Sequence, residues 1–222
     1  MKAITVQEKK ERLIKIQKCI DLGMSVEQMS QFLPTWGIPA SRTKVYDYLS
    51  EMRLPKKYVD KCQTDSRQTH HDYFIFWSFI PIATGFHDRG LTTRSLEKGS
   101  AVEGERFRHD FKFCVDDYLY YIELQLSDLA QTRWRQKIRQ YVRYYRKIKR
   151  PFRVLFVLDQ HGSMTYVRSH ARAVLKEEGH SELNLFLFTN LGELRKADNP
   201  AVQRIWWSVH GGPKERISLL ES

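Results

Sequence analysis

The stretch HDFKFCVDDYLYYIELQL, His109 to Leu126, sets two carboxylates, Asp110 and Glu123, into runs of Phe, Tyr, Leu and Ile. Apolar strands have no packing use for an acid, so each acid either lies on a solvated face or converges with the other on a ligand. Asp116 and Asp117 supply the turn of a hairpin whose arms are RFRHDFKFCVD and YLYYIELQL, turn-forming residues between two β-rich runs. That hairpin puts Asp110 on one strand beside Glu123 on the next, at a solvent-accessible end of the sheet. Gln125 shares the face of Glu123, because side chains alternate along a strand. Aspartate, glutamate and glutamine then offer the oxygen donors that a hard divalent cation, Mg²⁺ or Mn²⁺, requires. Lys137, on the helical segment that follows, can approach the same cluster. The plainer alternative is that the two acids cap a sheet end or pair with nearby arginines.

The elements that must position this cluster are legible around it. LTTRSLEKG reads as a strand preceding the hairpin, and PFRVLFVLD and LNLFLFTN are near-continuous apolar runs, as expected of strands buried on both faces. Between them, the basic segment after Asp128 and the amphipathic SMTYVRSHARAVLKEEG, with Gly179 at its end, read as helices. Strand, strand, strand, helix, strand, helix, strand describes an α/β (α+β) core, a mixed sheet flanked by helices. Trp206 and Trp207 belong to a C-terminal packing segment.

Upstream, residues 1–60 read as three helices. Val6 to Leu22 carries Leu13, Ile16 and Ile20 at helical spacing and stops at Gly23; SVEQMSQFL has Ser25 as cap with Gln28 three residues on; PTWGIPA forces a turn; SRTKVYDYLSEMR follows Ser41 with Val45, Tyr48, Leu49 and Met52 inward. This is a helix-turn-helix pattern, whose last helix offers Arg42, Thr43, Lys44 and Tyr46 to a major groove; a three-helix packing module is the alternative. Residues 61–90 form a polar connection, in which His70 and His71 read as surface rather than as metal ligands, followed by the apolar DYFIFWSFIPIATGFH. A helix carrying Pro81 and a pair of strands both fit that run, and the helix is preferred. Residues 91–222 hold the core.

Basic residues exceed acidic ones by 37 to 26 over 222 residues, a formal charge of +11, which makes a phosphate-rich polymer the first partner class. Between Asp128 and Arg150 stand Arg133, Arg135, Lys137, Arg139, Arg143, Arg146, Lys147, Lys149 and Arg150 against that one acid, so nearly the whole excess can sit on one element. Cys19, Cys62 and Cys114 are odd in number and scattered, which favours reduced buried thiols over a disulfide framework or a zinc site. No apolar run reaches the ~18 residues of a membrane span, and MKAITVQEKKERL lacks the apolar stretch of a signal peptide. A cytoplasmic protein is expected.

With HD at 109–110, IELQL at 122–126, KIRQY at 137–141 and FRVLFVLD at 152–159, the chain resembles the PD-(D/E)XK nuclease superfamily. More narrowly, it resembles the plasmid replication-relaxation proteins, which join an N-terminal winged helix domain to such a core. His109 stands where the motif has proline, and Gln125 where a nuclease usually has lysine and the narrower family an acid. The resemblance implies metal-assisted phosphodiester hydrolysis, with Asp110 and Glu123 on Mg²⁺ or Mn²⁺, Lys137 steadying charge on the phosphoryl oxygens, and Gln125 able to orient a water but not to deprotonate it. Tyr141 at most supports that site from behind. Two functions follow. One is a DNA-binding accessory protein of a plasmid, phage or other mobile element, acting in replication, transfer or its control; the alternative is an active DNA endonuclease or nickase. The implied partners are double-stranded DNA, contacted by Arg42, Thr43 and Lys44 and by Arg133, Arg135, Arg139, Arg143 and Arg146, together with other replication or transfer proteins and a second copy of the chain.

Overall fold

The structure, a computed structural model, describes residues 5–54, 70–102, 104–105, 107–126, 131–148, 150–159, 162–212 and 215–221. The chain divides between Ile80 and Pro81 into two compact units.

The regular elements of the first unit's described residues are all helical: α1 (Val6–Leu22), α2 (Val26–Phe32), a 3-10 turn (Leu33–Trp36), α3 (Arg42–Glu51) and the N-terminal part of α4 (His70–His87). Local chemistry sets each boundary. Gly23 ends α1 with φ 87°, a left-handed conformation that costs little without a Cβ. Ser25 and Gln28 cap one another at the start of α2: the Gln28 amide donates to Ser25 Oγ at 3.2 Å and the Ser25 amide to Gln28 Oε1 at 3.0 Å. Gly37, at φ 71°, turns the chain between α2 and α3. The apolar sides of these helices meet in a core that includes Ile16, Met29, Phe32, Val45, Leu49, Phe76 and Phe79, all essentially buried, with Phe32 and Phe79 at 5.2 Å between centroids. His70 and His71 open α4 rather than lying on a connection. Cys62 lies outside the described residues.

The second unit is a mixed seven-stranded sheet in the order β1 (Thr93–Lys98), β2 (Phe111–Val115), β3 (Tyr118–Gln125), β4 (Phe152–Leu158), β5 (Phe186–Asn190), β6 (Trp206–Ser208) and β7 (Arg216–Ile217). The pairs β3–β4 and β4–β5 are parallel and the others antiparallel. The parallel pairs need crossovers, and α5 (Gln131–Lys147) and α6 (Gly162–Glu177) supply them, with α7 (Leu191–Lys196) following β5. Asp116 adopts φ 51° in the β2–β3 turn, tolerated by its short polar side chain. β1 is bulged between Arg94 and Glu97, with Ser95 at φ 53°.

One sheet face packs against α5 and α6 through Tyr121, Val154, Phe156, Phe188, Trp134, Ile138, Val142, Val167 and Leu175, all buried. Burying side chains of this size contributes about 1.5–3 kcal/mol each. On the other face, Phe113 and Tyr120 meet Phe86 of α4 at 6.4 and 5.5 Å. Gly85 is required there, because a Cβ would stand 2.9 Å from the Ala201 Cβ and would collide with the Asn199 side chain. Trp206 and Trp207 pack as expected, both buried on β6. Among the described residues, no helix is long and apolar enough to cross a membrane.

Candidate functional site

The β2–β3 register pairs Phe111 with Ile122, and one step further puts Asp110 opposite Glu123 on the same face. Asp110 lies one residue before β2 rather than on it, and this frees its side chain to turn back toward the backbone. Its Oδ2 accepts from the Leu124 amide at 2.8 Å, so it anchors the end of the hairpin while facing the cluster. Glu123 shares its face with Tyr121 and Gln125; Gln125 is half-buried at the strand's end.

The spacing of Lys137 and Tyr141, one helical turn apart on α5, brings both side chains onto Glu123. Lys137 Nζ pairs with Glu123 Oε2 and the Tyr141 hydroxyl donates to Glu123 Oε1. Tyr141 is wholly buried, edge-on to Phe107 at 4.9 Å. The approach of Lys137 agrees with the sequence reading, whereas Tyr141, expected only as background support, touches the carboxylate directly. The expected solvent-accessible sheet end is corrected at Glu123, which is 1% exposed. The alternation that groups Glu123 with Tyr121 says nothing of what lies above them, and α5 lies above them.

Burial raises the Glu123 pKa to about 8, helped by the Asp110 charge and opposed by Lys137 and the Tyr141 hydroxyl. Burial acts to lower Lys137, but the Glu123 and Asp110 carboxylates outweigh it and hold the ammonium above its ordinary value. Tyr141 is pushed far upward by burial and by the Glu123 carboxylate, so it serves as a donor and not as a base. Beside them, the His109 ring shares a hydrogen bond with Ser100 Oγ at 2.9 Å, Ser100 Oγ donates to Glu97 at 3.0 Å, and Glu97 pairs with Lys112 at 2.7 Å. Burial, then the Lys112 charge, lowers His109 to about 4 and keeps it neutral. No local sequence signal links Glu97 and Ser100 to His109; the antiparallel pairing of β1 with β2 does.

For a hard cation the donor set fits poorly in this arrangement. Both Glu123 oxygens are engaged by α5, one Asp110 oxygen accepts a backbone amide, and among the described residues no group of three His, Cys, Asp or Glu side chains could hold a metal ion.

No family model, curated protein or solved structure matches the chain.

The basic residues divide into two kinds. At the start of α3, Arg42, Thr43 and Lys44 are all exposed, the Ser41 side chain capping the Lys44 amide at 3.2 Å and Arg42 paired with Glu27 of α2 at 3.1 Å. On α5 the expected basic residues from Arg133 to Lys147 share one helix, and acids on other elements pair with several of them. Glu177, the last residue of α6, takes Arg135 and Arg139; Glu178 takes Arg139 at 3.8 Å and Arg146 at 3.3 Å; Glu105 takes Lys147. Packing α6 against α5 sets its acidic C-terminal end beside the arginines. Arg133 and Arg143 are exposed and form no ion pair with another described residue.

Proposed function

We propose that the chain is a DNA-binding accessory protein of a plasmid, phage or other mobile element, acting in replication, transfer or its control, in which a PD-(D/E)XK-like core serves as scaffold. The observation that carries this reading is the exposed first turn of α3, with Arg42, Thr43 and Lys44 at the start of a helix that follows the Gly37 turn. A helix start with exposed hydroxyl, guanidinium and ammonium groups suits contact with base edges and phosphates, Arg42 exchanging the Glu27 carboxylate for DNA. The formal charge of +11 supports a polyanionic partner. Arg133 and Arg143 remain as backbone contacts on α5, while Arg135, Arg139 and Arg146 reach DNA only by exchanging carboxylates for phosphates. The reading implies double-stranded DNA in the cytoplasm and leaves room for self-association or for other replication or transfer proteins.

The test is selection of bound sequences from a random duplex pool, followed by titration at several salt concentrations. Replacing Arg42 and Lys44 together by alanine should remove sequence preference, at about 1–3 kcal/mol for each base contact, while weak salt-dependent binding persists. Sequence preference intact in that double variant would refute the assignment.

A second reading, an endonuclease or nickase dependent on Mg²⁺ or Mn²⁺, is favoured by the convergence of Asp110, Glu123 and Lys137 on one face. It requires Glu123 to leave Lys137 and Tyr141, and incubation with supercoiled plasmid and either metal tests it directly.

A further inference from the structure

At the opposite end of β3 from Glu123 lies a cleft of about 550 Å³ lined by Tyr118, Tyr145, Arg146, Arg150, Arg153 and His180 over an apolar floor that includes Phe152 and Leu183. Glu123 lies five residue steps along the strand from Tyr118, so the two sites stand roughly 16 Å apart at ~3.3 Å per residue. Among the described residues, no acidic side chain lines the cleft. Arg146 is balanced by Glu178 at 3.3 Å and donates to His180 Nε2 at 2.8 Å. The other two arginines differ. Arg150 donates only to uncharged groups, the Asp117 carbonyl at 2.9 Å and the Cys114 sulfur at 3.5 Å, and has no carboxylate partner among the described residues. Arg153 lies with its guanidinium 5.5 Å from the Tyr118 ring centroid, and its buried Nε has no hydrogen-bond partner. Two guanidinium groups at one cleft, neither paired with an acid among the described residues, favour an anion with several oxygens.

The aromatic groups add a second requirement. Tyr145 is 37% exposed, with its ring 6.0 Å from Phe152 and 6.3 Å from His180 between centroids. A half-exposed ring on an apolar floor is a surface on which a flat heterocycle stacks, as bases do on aromatic side chains. The volume lies within the range of small-molecule sites.

We propose that this cleft binds a nucleotide, its phosphates on Arg150 and Arg153 and its base against Tyr145. The proposal rests on the cleft alone and not on the DNA-binding reading. The nucleotide has two possible sources, a free nucleoside diphosphate or the phosphorylated end of a single strand, and the test separates them. Calorimetric titration of the full chain with ADP, with inorganic pyrophosphate and with a 5′-phosphorylated oligothymidylate should show saturable ADP binding at least tenfold tighter than pyrophosphate. Arg150→Gln and Tyr145→Leu, both at accessible positions, should each weaken ADP at least tenfold with the circular dichroism spectrum unchanged, and Arg153→Gln should do the same if it folds. An oligonucleotide that binds tenfold tighter than ADP and is weakened by the same substitutions identifies a strand end as the source and upholds the site. Absence of binding by both ADP and the oligonucleotide, pyrophosphate binding as tight as either, or affinities unmoved by Arg150→Gln and Tyr145→Leu would each overturn it.

Discussion

Glu123→Gln is the most informative single change, because it removes the ionisation of a buried acid while keeping its shape. With a folded pKa of about 8 against an ordinary value of 4.5, the folded chain holds a proton that the unfolded chain has released over an interval of about 3.5 pH units. The sign follows directly. Glu123 adds no penalty below pH 4.5, where both states are protonated; stability is lost as pH rises from there to about 8; above that both states are ionised and the loss levels off. At about 1.4 kcal/mol per pH unit the ceiling on this loss is about 5 kcal/mol. Glutamine carries its own cost, with an amide facing Lys137, but that cost stays constant until Lys137 itself titrates. The difference in unfolding free energy, variant minus wild type, should therefore climb by several kcal/mol between pH 4.5 and 8 and then flatten. Urea unfolding followed by fluorescence suits the measurement, since Trp134, Trp206 and Trp207 lie buried in the unit that holds Glu123. A difference independent of pH, or one that falls with pH, would mean that Lys137 holds Glu123 ionised in the folded state and that the burial argument fails.

Tyr141→Phe should destabilise the chain by about 1–3 kcal/mol, by leaving Glu123 Oε1 buried without its donor, and urea midpoints at pH 6 and pH 9 should show the larger loss at pH 9. Gly85→Ala should cost about 1–3 kcal/mol through overpacking against Asn199 and Ala201, read as a lowered thermal midpoint. Glu177→Gln with Glu178→Gln should release Arg135, Arg139 and Arg146 from their carboxylates, raising non-specific affinity for duplex DNA and steepening its dependence on log salt. An unchanged salt slope would place α5 away from the DNA.

The elements of the core are readable from residue pattern because each is set locally. Asp116 and Asp117 mark the hairpin turn, apolar continuity marks β4 and β5, and Ser25 with Gln28 marks the start of α2. Once the hairpin is drawn, the meeting of Asp110 with Glu123 follows from register, and the approach of Lys137 follows from the helix after it. Other features depend on pairs distant in sequence. Glu123 is buried because α5 crosses above it, and the direct contact of Tyr141 with the carboxylate depends on which face of α5 meets β3, which helical position alone does not say. The arginines of α5 looked unopposed because Glu177 and Glu178 reach them only when α6 packs alongside. The short strands β6 and β7 leave no signal in the sequence, because three and two residues carry no period.

The two rims of the sheet constrain how the chain can associate. An edge strand with unpaired amides and carbonyls invites another strand to add to it, which is how many β-rich proteins aggregate or exchange segments. Here one rim is β1, broken by its bulge at Ser95 and carrying Arg94, Glu97 and Lys98, and the other is β7, only two residues long. Neither gives an incoming strand a straight row of partners. Among the described residues, growth of the sheet from chain to chain is thereby discouraged, which favours side-chain surfaces over a continued ladder of backbone hydrogen bonds as the basis of any dimer.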